Sequence, residues 1–248
     1  MIRASVGTRL LGGVTVASLA VLAVLALVVT PPDVNQQDAV RLIYIHVPAA
    51  TAMYVAFAVT AIASVLYLLP RTRARKWDLL AGASAEIGVV FVALTLVVGS
   101  IWGRATWGVW WTWDARLTTT AILFVLFLGY LALRRVAGET DVRARRNAIA
   151  ALAACVDLPI VHKSVEWWRT LHQKSSVLDE ETFLHPHIHG VMYWTLMLGI
   201  ASFLMLFAWL LVHRYRVAVL AERLEDEGLE RAIAERRAEA EALTGAHG

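Results

Sequence analysis

The feature that most restricts how this chain can fold is a set of long apolar runs, at residues 10–30, 42–69, 79–101, 117–133, 147–161 and 191–212. A helix needs roughly 20 predominantly apolar residues to cross about 30 Å of hydrocarbon. Four of the runs reach that length, and the fourth and fifth are shorter. Hydrophobic residues make up 58% of the sequence and the mean hydropathy is +0.60, above the roughly 45–50% apolar share of soluble domains. The expected fold class is therefore all-α: a polytopic membrane protein with six transmembrane helices. The first run follows Arg3 and Arg9 as a signal peptide would, but it exceeds the roughly 7–15 residues of a signal core. No A-x-A-like cleavage site precedes Pro31-Pro32, so this run is read as a retained helix.

Arginine and lysine set the expected orientation. With a cytoplasmic N-terminus, the inside segments carry Arg3 and Arg9; Arg71, Arg73, Arg75 and Lys76; Arg134, Arg135, Arg143, Arg145 and Arg146; and Arg214 and Arg216. The outside segments hold only Arg41, Arg104, Arg116, Lys163, Arg169 and Lys174. This bias follows the positive-inside rule and places both termini in the cytoplasm. The net charge of +3 is accounted for by topology and implies no nucleic-acid partner. Residues 1–217 are expected to form the six-helix unit, with an outward-facing segment at 102–116. Residues 218–248, rich in Ala, Glu and Arg, are expected to form a charged helical cytoplasmic tail, with Glu227 and Arg231 at the supportive i,i+4 spacing.

The segment at 102–116 is the chemically distinctive one. Trp102, Trp107, Trp110, Trp111 and Trp113 are half of the chain's ten tryptophans, and they close on Asp114. Scattered interfacial Trp is ordinary in membrane proteins, but this density suits a flat aromatic platform for a large planar ligand, each indole offering rigid contact area and one N–H donor. Asp114 sits where a helix cap is favoured by the dipole. Arg104, Arg116 and Arg169 can alternatively pair with carboxylates of a ligand.

Histidines supply the second signal. His46 precedes Pro48, which places the start of a regular helix close to it, and His172 falls on the same outer side. Two neutral imidazoles beside an aromatic platform can provide both axial ligands to a porphyrin iron. The alternating His185, His187 and His189 form either a transition-metal site or an unspecific surface cluster, and His213 reads as a basic inside flank. Glu86 and Asp157 lie within apolar runs, where carboxylates commonly mark proton, ion or helix-partner sites; neither receives a catalytic role. Lone Cys155 excludes an intrachain disulfide and CxxC redox chemistry, leaving packing as its role.

The stretch Trp102-Gly103-Arg104-Ala105-Thr106-Trp107-Gly108-Val109-Trp110-Trp111-Thr112-Trp113-Asp114-Ala115-Arg116-Leu117 resembles the WWD signature of the haem-handling superfamily. Ile45-His46-Val47-Pro48-Ala49-Ala50 and Ser164-Val165-Glu166-Trp167-Trp168-Arg169-Thr170-Leu171-His172-Gln173 resemble the histidine motifs of its cytochrome c maturation protein C (CcmC) family. The resemblance implies a haem b site at the outer face of a bacterial inner membrane. Its tryptophans, Asp114 and Arg116 would bind the macrocycle, and His46 and His172 would be the axial ligands. It further implies haem transfer, of a lyase-like kind, to a periplasmic chaperone of the CcmE type, with a small CcmD-like protein and a CcmA/CcmB ABC-type complex as partners. No GxxxxGK[ST] motif is present, so any nucleotide hydrolysis would belong to a partner. The competing functions are a permease subunit moving haem across the bilayer and a b-type electron-transfer cytochrome.

Overall fold

The computed structural model describes residues 5–172 and 188–245. Six of its helical segments are long and apolar enough to cross a membrane, because a chain in hydrocarbon must satisfy its backbone groups internally and each run does so as a helix. The first, α1 (Val6–Val24), continues through a wider turn at Leu25–Val29. A short connection and a 3-10 turn at Asp38–Leu42 lead into α2 (Ile43–Leu68). Then come α3 (Arg75–Trp107) and α4 (Ala115–Arg134). The fifth crossing is α5 (Thr140–Cys155) with α6 (Asp157–Trp167), and the last is α7 (Gly190–Gly245).

Three boundaries differ from the apolar runs. Helix α3 outlasts its run and carries Trp102 and Trp107 in its final turns, so the tryptophan segment is part helix and part loop. It ends where Gly108 takes the left-handed conformation (φ 79°) that glycine adopts without steric cost. The fifth run also lengthens at both ends, into a 28-residue crossing at Thr140–Trp167. Its basic end is accommodated because Arg146 donates to the carbonyls of Leu133 and Val136 at the end of α4. His162, Glu166 and Trp167, which follow the fifth apolar run, are helical too. Finally, α7 passes into the charged segment without a break, and Glu227 and Arg231 pair at 3.7 Å.

Small residues hold the centre together, as expected where apolar tails leave no hydrophobic drive for helix association. Ala49, Ala52, Ala56 and Ala63 of α2, and Ala81 and Ala85 of α3, are buried. The Ser84 hydroxyl donates to the Ala56 carbonyl across this pair (2.7 Å). Phe57 of α2 stacks on Phe127 of α4 at 3.7 Å between centroids. Cys155 points its Sγ at the Phe57 carbonyl (3.7 Å), a packing position.

Charge gathers at the opposite end of the bundle from His46. Buried Asp78 of α3 accepts from Arg134 of α4 (2.7 Å) and from Arg75, which also pairs with Glu222 of α7. Glu86 is held by a two-pronged contact from Arg214 of α7. Of the roles open to a carboxylate within an apolar run, it therefore fills that of a helix partner.

Candidate functional site

Alternation of the helices brings the start of α2, the end of α3, the start of α4 and the end of α6 to one end of the bundle, and a cavity opens there. Its enclosed part holds about 70 Å³, and the empty space including its open mouth is about 560 Å³. His46 and His172 both line it, together with Trp111, Arg116, Tyr54 and Thr95. The structure thus brings together two imidazoles 126 positions apart in the sequence.

The two histidines are positioned by different means. His46 lies in the first turns of α2, and its ring rests against Gly99 of α3, where even a methyl group would come within 2.7 Å of Cε1. Trp102 meets the same ring edge-on at 5.7 Å, and the indole N–H is fixed by Gln36 Oε1 (2.7 Å). His172 lies beyond the end of α6, on a stretch without helical support. Trp107 packs against its ring at 5.0 Å. The Nδ1 atoms of both imidazoles are buried without a hydrogen-bond partner.

Asp114 connects the tryptophan segment to this stretch. One carboxylate oxygen caps α4 by accepting from the Leu117 N–H (2.8 Å). The other accepts from the Thr170 hydroxyl (2.6 Å) and the Leu171 N–H (3.1 Å), and lies 3.6 Å from His172 Nδ1. Burial pushes this carboxyl up, but the bonds from Leu117 and Thr170, neighbouring His172 and the Leu171 N–H outweigh it and hold the group below its ordinary value. His172 is shifted down by burial, against the pull of Asp114 and with the help of Arg116. A neutral imidazole, the form that ligates metal, is thus favoured at neutral pH. Arg116 lines the cavity while its Nε and Nη2 donate to Ser164 Oγ (3.1 Å) and the His162 carbonyl (3.0 Å). It therefore ties α4 to α6 as well as facing the site.

The five tryptophans do not share one position. Trp111 lines the cavity, Trp102 and Trp107 back the two histidines, and Trp110 and Trp113 are 59% and 82% exposed. Trp113 meets Trp111 edge-on at 5.7 Å. Arg104 bonds the Gly108 carbonyl at the end of α3, and Arg169 is exposed. Asp157 is buried, with one oxygen lacking a partner. His213 packs on Trp209 of its own helix. His185 and His187 lie outside the described residues, where His189 is exposed. Among the described residues no group of three His, Cys, Asp or Glu side chains converges on a metal-sized site.

Sequence reasoning missed Ala50, Met53, Tyr54, Thr95, Gly99 and Thr120 as cavity wall. A signal for three of them was present. Counting from His46 by helical spacing reaches Ala50, Met53 and Tyr54, which share its face.

Comparison with known proteins places these features in context. The family described as Heme exporter protein C (CcmC) matches residues 3–230. Heme exporter protein C of Haemophilus influenzae is 40% identical over 208 residues, covering 84% of this chain and 82% of its own length. The Escherichia coli protein of the same name is 38% identical over 190 residues, 77% of this chain and 74% of the relative. A ccmC-like mitochondrial protein of cytochrome c biosynthesis from Marchantia polymorpha is 39% identical over 164 residues, 65% of this chain and 67% of the relative.

Proposed function

The chain belongs to the heme exporter protein C family, and from that premise we propose that it handles haem for cytochrome c biogenesis, holding haem b in the cavity between His46 and His172. Haem is cargo in this reading. The residues present fit it: two imidazoles that line one cavity, an aromatic wall at Trp111 and an apolar lining from α2 and α3. His46 and His172 are the axial ligands, leaving Trp102 and Trp107 to fix the planes of the imidazoles. Arg116 is the cation available to an acidic substituent of the ligand. Exposed Trp110 and Trp113 lie beside the site, where a receiving protein would approach.

The observation that carries this reading is the shared cavity of His46 and His172 in a chain of this family. An electron-transfer cytochrome calls for ligand pairs on facing helices deep in the membrane, and His172 lies beyond the end of α6 instead. A permease needs a polar path across the bundle. Of the two carboxylates within the apolar runs, Glu86 is paired with Arg214, which leaves Asp157 alone with an unpartnered oxygen. With the arginine bias, the cavity faces the outer side of the bacterial inner membrane. The recipient is a periplasmic chaperone of the CcmE type, working with a CcmD-like subunit and a CcmA/CcmB ABC-type complex.

Absorption spectra of the purified, haem-loaded protein test the assignment. His46→Ala and His172→Ala are each expected to lose the six-coordinate low-spin spectrum, because removal of one imidazole leaves iron five-coordinate or ligated by water, and to load less haem onto the chaperone. Unchanged spectra in both variants, with haem still bound, refute the axial pair.

A further inference from the structure

Asp114 stands in the signature segment, yet it is not part of the cavity wall. Every contact of its second carboxylate oxygen points to one short stretch, residues 170–172. That stretch follows the last helical turn of α6, and His172 has no helix to hold it as α2 holds His46. Its own backbone N–H bonds the Thr170 hydroxyl (3.0 Å), the same hydroxyl that donates to Asp114. The result is a chain of bonds from the start of α4 to the backbone of His172, with the carboxylate 3.6 Å from Nδ1, a nitrogen with no other partner.

Histidines that ligate metals nearly always donate their other ring N–H to a carboxylate or carbonyl, which sets the tautomer and raises the basicity of the ligating nitrogen. We propose that Asp114 is the positioning residue for His172. It holds Nδ1 as the N–H side of the ring, so that Nε2 carries the lone pair offered to iron. The inference rests on the axial assignment of His172. It assigns Asp114 to the ligand, acting through the imidazole, and not to contact with the macrocycle. The 3.6 Å separation is longer than a hydrogen bond, so the proposal requires the ring to turn toward the carboxylate when haem is held.

The test uses the full-length protein titrated with haemin. Asp114→Asn preserves the helix cap, since Asn caps as well as Asp, but replaces the anionic acceptor. Haem affinity should fall about 10–100-fold, the usual cost of losing such a partner. The midpoint potential of the haem that remains should rise, because a less basic imidazole stabilises ferric iron less. Asp114→Glu should move both readouts back toward the parent. Thr170→Val, which leaves the cap untouched, should shift them in the same direction by less. The proposal is overturned if Asp114→Asn inserts normally and keeps both affinity and potential. It is equally overturned if Asp114→Asn lowers thermal stability and haem content together while Asp114→Glu restores neither and Thr170→Val is silent, the pattern of a helix cap alone. His172→Ala run in parallel separates the two levels. An unchanged spectrum there refutes the axial reading and this one with it, whereas a changed spectrum with a silent Asp114→Asn refutes this one only.

Discussion

Replacing Gly99 with alanine should weaken haem binding while leaving the bundle as stable as before. The added Cβ would sit 2.7 Å from His46 Cε1 and 3.2 Å from Nδ1, so the ring must retreat by several tenths of an ångström to reach ordinary contact. What gives way is the end of a side chain with rotatable bonds, not the backbone of α2, so the strain falls on ligand geometry. Overpacking of this kind costs about 1–3 kcal/mol, which at about 1.4 kcal/mol per tenfold amounts to about a 5- to 150-fold loss of affinity. This cost falls on binding because the ring can turn away from the added methyl in the haem-free protein and must return to meet iron, so the unfolding midpoint should change little. Gly88→Ala provides the contrast. There the Cβ would meet Phe57 at 2.6 Å, and Phe57 is buried and stacked on Phe127, so the cost should appear as lost stability. Gly129, with nothing within 4 Å, is the neutral control. Haem titration followed at the Soret band, with thermal unfolding of the same preparations in detergent, separates the two costs. Parental affinity and spectrum in Gly99→Ala would show that His46 does not meet iron in the orientation Gly99 permits.

Three further outcomes are expected. Trp111→Ala should reduce haem occupancy far more than Trp113→Ala, because a covered indole buries about 150–250 Å², worth several kcal/mol at about 25 cal/mol per Å², whereas Trp113 is 82% exposed; equal haem content in the two variants argues against a contact role for Trp111. Cysteines introduced at Val109 and Gly228 should label from opposite sides of the membrane, Val109→Cys from the periplasm, and periplasmic labelling of Gly228→Cys reverses the topology. Asp78→Ala should destabilise the protein by about 3–5 kcal/mol, since it leaves the largely buried Arg134 without its carboxylate; adding Arg134→Met should recover part of the loss, and a purified Asp78→Ala protein with the parental unfolding midpoint contradicts this.

The six crossings were legible because hydropathy along the chain reports burial in lipid directly. Helix ends were less so. Thr140 to Arg146 read as a polar inside loop, yet it is helical because Arg146 finds carbonyl partners on α4. His46 and His172 stood out by residue type and motif, but their convergence depends on how α2, α3, α4 and α6 pack. Which face of each helix turns inward is poorly marked in a membrane, where the outward face is apolar too: exposed Val90 and Val97 and buried Val92 belong to the same helix. Thr95 was therefore invisible as a wall residue. Asp114 was legible as a cap, but its second set of partners lies 56–58 positions further along the chain and left no local sign.

The unbroken helix α7 has a mechanical consequence. Its 56 residues make a rod about 84 Å long at 1.5 Å per residue, when about 30 Å suffices to cross the hydrocarbon. No proline interrupts it. Near one end, Gly199 lies against Pro48 and the Tyr44 carbonyl, a single turn of α2 from His46; further along, Glu86 and Arg75 grip the rod at Arg214 and Glu222. One continuous helix therefore touches both the segment that carries His46 and the charged end of the bundle.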